Sequence, residues 1–279
     1  MPLAPAHSSL YRERTRAWGA WYAARFQVVG ATMHIVNFGD QQVAGKISAS
    51  TFTAPAWSAS GISAVWTPSA ALSALATAVD LTAESSWLGD APIAKLNGTS
   101  ERLTTPDAAY WTAALTALSI CGWVNMVDST SSTIMAKFTT VGDLREWRLD
   151  MTASDFLRLI LSDENDAVTP NATIDTTANA AFPQGRWVFF AATYDGTANA
   201  TGIDLYQDGV VVASTDTDDV NFASSRNTTS IVEIGAAEAA VYFDGSLLGG
   251  PCGLTISQTQ LTAAQVLNLY NIDRHYLGV

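Results

Sequence analysis

From about residue 61 onward the chain falls into short apolar runs bounded by Gly, Asp, Asn or Pro, and within these runs apolar and polar positions alternate. Alternation with period two sends successive side chains to opposite faces of a strand, so each run predicts a strand with one buried face. Ser119–Met126 sets Cys121, Trp123 and Asn125 against Ile120, Gly122 and Val124. Trp147–Met151, Phe156–Leu161, Trp187–Tyr194, Ile203–Gln207, Val210–Ser214, Ile231–Ala236 and Leu254–Ser257 follow in the same manner. Between Gln207 and Val210 stands Asp208-Gly209, a pair suited to a two-residue hairpin turn, whose positive φ angles match the right-handed twist of the flanking strands. Many short strands with regular turn punctuation predict an all-β, two-sheet antiparallel sandwich.

The two ends of the chain depart from this pattern. Leu261-Thr262-Ala263-Ala264-Gln265-Val266 opens a short C-terminal helix: Thr262 and Gln265 form a capping box, and Leu261 and Val266 form the hydrophobic staple around it. That helix is expected to run to about Tyr270, presenting Val266, Leu269 and Tyr270 to the sandwich. At the other end, Leu10, Trp18, Trp21 and Tyr22 fall on one face of a helix over about 10–26, with a strand expected over about 28–38 and a linker rich in Ser, Thr, Ala and Pro after it. The expected organisation is an N-terminal helical arm and linker over 1–60 and a sandwich over 61–279.

Apolar residues make up 48% of the 279 and charged residues 14%, which is a core-forming composition and not a disordered one. The net charge of -12 is unevenly spread: four arginines against one glutamate leave the first 26 residues at +3, so the rest of the chain carries -15. So acidic a body repels phosphate, and no nucleic acid is expected at the sandwich. The basic, aromatic arm instead supplies residue types that anchor protein interfaces, and Tyr11, Arg12, Arg14, Arg16, Trp18, Trp21, Tyr22, Arg25 and Phe26 are its candidate partner-docking residues. No apolar stretch is long enough to predict a membrane span, and arginines scattered among aromatic residues do not make a Sec export signal. Cys121 and Cys252 lack metal-ligand spacing and sit in apolar or glycine-rich settings, which predicts two buried free thiols rather than a pair across the sandwich.

An ordered set of short motifs carries a resemblance. Lys95-Leu96-Asn97-Gly98-Thr99-Ser100-Glu101-Arg102-Leu103 leads to Pro106-Asp107; Leu118–Val124, Trp187–Gly196, Leu205–Gly209, Ile234-Gly235-Ala236, Phe243-Asp244-Gly245 and the Leu261–Tyr270 helix follow. Read in this order, residues 87–271 resemble the laminin-G-like branch of the concanavalin-A-like lectin and glucanase fold. The resemblance implies a jelly roll that binds glycans, proteins or other surfaces, often with calcium at one rim. Trp123 and Trp187 lie within alternating strands and are read as core rather than sugar platforms.

Glucanase relatives of this fold place a pair of carboxylates along one strand. Glu146 and Asp150 share parity here, but Arg148 lies between them and suits an ion-pair ladder instead. His7, His34 and His275 are scattered, and the nucleophile-elbow, His-pair and phosphate-loop motifs are missing, so no enzyme activity is expected. No cofactor is required. Calcium has candidate ligands in Asp163, Glu164 and Asp166, in Asp216, Asp218 and Asp219, and in Asp244, although the preferred reading makes these solvated turn residues of an acidic body. The leading expectation is a non-enzymatic virion surface subunit, a capsid decoration or tail-associated protein. In this reading it assembles in the host cytoplasm in repeated, homo-oligomeric copies, its arm docks on capsid or tail subunits, and its sandwich faces outward, where it can meet glycans. The alternative is an extracellular bacterial carbohydrate-binding or adhesion protein. A glycoside hydrolase ranks third.

Overall fold

The computed structural model describes residues 20, 23–25, 27–28, 33–35, 52–53, 65–68, 80–86, 89–108, 111–112, 117–165, 169–238, 240–249 and 253–277. Its strands, numbered along the chain, form two sheets. The first runs β14 (Val210–Val211), β13 (Ile203–Gln207), β12 (Trp187–Tyr194), β7 (Leu118–Asp128), β17 (Asp244–Leu248), β5 (Gly89–Asn97) and β4 (Asp80–Ser86). Beside β7 lies β18 (Thr255–Ser257), and beside β18 lies β1 (Met33–Ile35). The second sheet runs β15 (Ser214–Asp218), β11 (Thr169–Ala181), β10 (Phe156–Asn165), β9 (Leu144–Met151), β8 (Thr133–Thr139), β16 (Val232–Ile234), β6 (Leu103–Thr105), β3 (Val65–Pro68) and β2 (Phe52–Thr53). Every pairing among the described strands is antiparallel. The architecture is the expected mostly-β, two-sheet antiparallel sandwich with a short C-terminal helix. Strands β1 and β2 fall within the segment read as arm and linker, yet they hydrogen-bond into the two sheets.

The main core lies between the sheets. Ile120, Val124 and Met126 of β7 and Val188 and Phe190 of β12 face Leu149 of β9, Leu159 and Leu161 of β10 and Ile174 of β11. Each such side chain contributes about 1.5–3 kcal/mol when fully buried. The Asp208-Gly209 turn is as the sequence predicts, with φ of 48° and 80°, and it closes the β13–β14 hairpin. Other strands were not evident from the sequence. The inward positions of β11 are Ala172, Ile174, Thr176 and Ala178, of which only Ile174 is a large aliphatic, so its alternation does not stand out in hydropathy.

The other face of the first sheet is covered as well. Cys121 and Trp123 of β7 and Phe189 and Ala191 of β12 form a second buried cluster with Leu261 and with Val266 and Leu269 of the C-terminal helix (Ala263–Leu277). Burial on both faces explains why β7 is buried at nearly every position instead of every second one. The helix begins as expected: the Thr262 amide donates to Gln265 Oε1 at 2.9 Å and the Gln265 amide to Thr262 Oγ1 at 3.3 Å. It continues beyond Tyr270 to Leu277 because Asp273 extends the inward stripe of Val266 and Leu269 by one more turn.

Asp273 is the anchor of this face. Arg25, on a helical stretch whose described positions are 20, 23–25, 27 and 28, forms a fully buried ion pair with it, and both side chains are 0% exposed. The Arg25 guanidinium also donates to Thr255 Oγ1 at 2.8 Å, and the Trp123 indole N–H donates to Asp273 Oδ2 at 3.1 Å. Tyr270 stacks on Trp123 with ring centroids 5.7 Å apart. Arg25, read from the sequence as a docking residue for an outside partner, is thus held inside the molecule. The other eight docking residues, Tyr11, Arg12, Arg14, Arg16, Trp18, Trp21, Tyr22 and Phe26, lie outside the described residues. Cys121 is buried and free, and burial pushes its thiol up to about 11, against the opposing pull of Arg25. Cys252 lies outside the described residues.

Two outcomes are expected. Arg25→Met leaves the Asp273 carboxylate buried without its counter-ion and should cost about 3–5 kcal/mol in urea unfolding, whereas adding Asp273→Leu should recover most of that loss. Cys121 should resist alkylation in the native protein and be labelled once denaturant is added, as read by peptide mass mapping.

Candidate functional site

The second sheet keeps one face free of any covering helix among the described residues, and register shows what that face carries. One row crosses seven strands as Thr104, Glu233, Ala136, Arg148, Ile160, Asp175 and Thr217. A neighbouring row carries Thr133, Asp150, Arg158, Thr177 and Thr215. These positions alternate with core residues such as Leu149, Leu159 and Ile174, so they point away from the core.

Asp150 is the hub of this face. Arg158 grips it with two parallel hydrogen bonds, Nε to Oδ1 at 3.0 Å and an Nη to Oδ2 at 2.9 Å, and Arg148 Nε lies 2.8 Å from Oδ2. The fork fixes Arg158 and the ion pair holds Arg148 close, while part of each guanidinium stays toward solvent; the Arg148 and Arg158 side chains are 20% and 26% exposed against 4% for Asp150. The Arg148 guanidinium also sits over the Phe138 ring, 4.8 Å from its centroid, with that of Arg145 at 5.8 Å. Beside Arg158, burial pushes the Asp175 carboxyl above the usual carboxylate range, opposed by the Thr177 hydroxyl and by Arg158. Arg102 pairs with Glu233 at 3.0 Å farther along the same face. The result is a broad, planar array of hydrogen-bonding groups locked in place by one another.

Glu146 does not belong to this array, although sequence parity with Arg148 and Asp150 put it there. Lys137 pairs with Trp147 and Phe138 with Arg145, which leaves Glu146 as the extra residue of a β-bulge. The bulge turns its carboxyl inward, where it meets the ammonium of Lys137 and the backbone amide of Thr228, and where the Thr112 hydroxyl donates to its other oxygen at 3.1 Å. Lys137 Nζ also lies 2.9 Å from Asp107 Oδ1 and donates to the Thr228 carbonyl at 2.8 Å. Burial raises the Glu146 carboxyl above its ordinary range, an effect that Lys137 and the Thr228 amide partly offset.

The acidic calcium candidates are dispersed and engaged. Asp163 accepts from the amides of Ala223 and Ser224, Asp216 from the Thr176 hydroxyl, Asp218 from the Ala200 amide, and Asp219 from the Asn221 amide. Asp163 and Glu164 lie in β10, and Asp216 and Asp218 in β15, so these positions are strands where loops were expected. For β15 the reason is its place at the sheet edge: it pairs on one side only, where charged residues are tolerated and discourage further pairing. Asp244 faces Asp128 across β17 and β7, and burial, then Asp128, raises its carboxyl. Asp166 lies outside the described residues, as does the Glu164 side chain. Among the described residues no group of three or more His, Cys, Asp or Glu gathers in a way that could hold a metal ion. No helix among them is long and apolar enough to cross a membrane.

Comparison with known proteins agrees with this architecture. The profile of the concanavalin A-like lectin/glucanases superfamily (Laminin_G_3) matches residues 97–267. The chain belongs to this superfamily. No curated protein matches it. Among solved structures, the binding domain of Paraclostridial Mosquitocidal Protein 1 is similar at 12% identity and a TM-score of 0.50, over 70% of this chain and 46% of that one. The receptor-binding domain of botulinum neurotoxin mosaic serotype C/D also gives 12% and 0.50, over 76% and 46%. Domain 4 of the arabinanase AbnA from Geobacillus stearothermophilus, solved with arabinotriose, gives 17% and 0.43, over 68% and 81%. The chain therefore spans about half the length of the two toxin domains, and at these identities the likeness is one of fold.

The superfamily placement rests on core and turn residues, whereas the polar face was only partly visible in the sequence. Arg148 between Glu146 and Asp150 signalled a ladder, but Phe138, Arg158 and Asp175 were missed. The usable signal was the alternation of Arg158 with Leu157 and Leu159, which marks an outward charge on an otherwise apolar strand. Asp150→Asn should release both arginines and, with solvent screening taken into account, cost about 2 kcal/mol in equilibrium unfolding.

Proposed function

We propose that this chain is a non-catalytic carbohydrate-binding or adhesion module of the concanavalin A-like superfamily, and that the outward face of β8–β11 receives the glycan. The superfamily description covers both lectins and glucanases. One observation favours the lectin side: the two carboxylates of β9 that a glucanase would need as acid and base are both committed to cations. Asp150 is gripped by Arg148 and Arg158, and Glu146 is turned into the interior against Lys137. Glycoside hydrolysis requires two carboxyl groups flanking one sugar linkage with room for water between them.

The face offers what sugar hydroxyls need. Arg148 and Arg158 present N–H groups in fixed orientations, and Asp175, Thr177 and Thr215 supply oxygens along the neighbouring strands. A locked array loses little entropy on binding, which favours affinity for a ligand of weak individual contacts. Display on a virion, the other setting inferred for this protein, rests on eight arm residues outside the described structure. The carbohydrate-binding reading depends on none of them.

A glycan array of the full chain, run in calcium and in chelator, is the direct test. Binding to a defined glycan set is expected in both conditions, with Arg148→Ala or Arg158→Ala weakening it by about tenfold or more, which corresponds to about 1.4 kcal/mol. Silence in both conditions would overturn the proposal, and release of reducing sugar from the bound glycan would return the chain to the glucanases.

A further inference from the structure

The charge group around Lys137 brings two carboxylates to one buried ammonium. Lys137 is 0% exposed and shares a face with Trp147, a core position that normally takes an apolar residue. Its Nζ meets two carboxylates, Glu146 and Asp107, from opposite parts of the chain. Glu146 is itself fully buried, whereas the Asp107 side chain is 30% exposed. One ammonium thus faces two carboxylates, of which only that of Glu146 is shut away from solvent.

We infer that Lys137 and Asp107 form an intramolecular isopeptide bond, with Glu146 as the catalytic proton carrier. Nζ lies 2.9 Å from Oδ1 of Asp107, so the amine and the carboxyl it would attack are already in contact. Glu146 takes a proton from the Lys137 ammonium, replacing two buried ions by two neutral groups, and the raised affinity of its carboxyl for protons suits that task. The Nζ lone pair adds to Asp107 Cγ. Glu146 delivers its proton to one Asp107 oxygen, takes the second proton from the nitrogen and delivers that too; the C–O bond breaks and one water leaves. Two protons pass from nitrogen to oxygen, one C–N bond replaces one C–O bond, and no oxidant or external reagent is needed. The exposed side of Asp107 gives the water a way out. The Thr112 hydroxyl and the Thr228 amide hold Glu146 in place throughout.

The link would have a mechanical consequence. Lys137 is on β8 and Asp107 follows β6, and β16 lies between these two strands, so the bond would clamp three neighbouring strands across their hydrogen-bonding direction. Such a clamp keeps the strands together after the ladder between them has broken, a property suited to a module that holds a surface under load.

Intact-mass spectrometry of the purified full chain decides the matter. The expected mass is one water below that of the sequence, with a branched peptide joining the residue 107 and residue 137 fragments after proteolysis. Lys137→Arg and Asp107→Ala should each restore the full mass. Glu146→Gln should also leave the chain unlinked while its circular dichroism remains that of a β-sandwich. A wild-type chain at full sequence mass overturns the inference without reference to any variant, and a branched peptide that joins Lys137 to Glu146 overturns the assignment of Asp107 as the acceptor.

Discussion

A β-sheet has two faces, and a face that is buried is closed to any ligand. In this chain the first sheet is covered on both sides around β7 and β12, by the second sheet within the core and by the C-terminal helix outside it. The second sheet retains an outward face free of any covering helix among the described residues, and the ion-pair array of strands β8–β11 lies there. The closure of the first sheet depends on Arg25, Asp273 and Trp123. Asp273 could not lie on an indole beneath a helix without a cation and an N–H donor, and those two groups supply both. The same contact joins the earliest described segment of the chain to the last helix, so the ends of the chain cooperate in covering one face.

The second sheet handles charge differently. Arg148, Asp150 and Arg158 remain at the solvent boundary, where partial hydration lowers the cost of ionisation, and their stems cover Ala136 and Ile160. Lys137 and Glu146 have no such relief on the inner side, whereas Asp107 beside them is 30% exposed, and the bulge at Glu146 is what separates the two groups. One extra residue in β9 therefore divides a run of charges into an outward ion-pair array and an inward cluster around Lys137. A bulge that re-aims a single side chain is a frequent device near functional positions.

Much of the fold was legible from residue order. Alternation in β7, β9, β10, β12 and β13, the Asp208-Gly209 turn and the Thr262–Gln265 capping box are local signals, because each depends on side chains only a few positions apart. Strands β8, β11 and β15 were not legible in this way. The small or polar inward residues of β11, the acidic edge of β15 and the buried Lys137 that breaks the apolar run of β8 give little hydropathic contrast, and pairing with neighbours makes them strands. The site was less legible still: Arg158 and Asp175 meet Asp150 through register across three strands, which no spacing along the chain encodes.

What the sequence by itself determined is the class of the molecule: an acidic, antiparallel sandwich closed by a capped helix, with its superfamily written in turn and core residues. What only the tertiary structure decided is where each charge goes. Arg25 went inward to Asp273, Glu146 turned away from its own strand's face, and the acidic pairs of β10 and β15 joined sheets. The physical reason is the same in each case. Strand and helix formation follow from local periodicity, but the free energy of a charge is set by neighbours distant in sequence and by the water that packing leaves or removes.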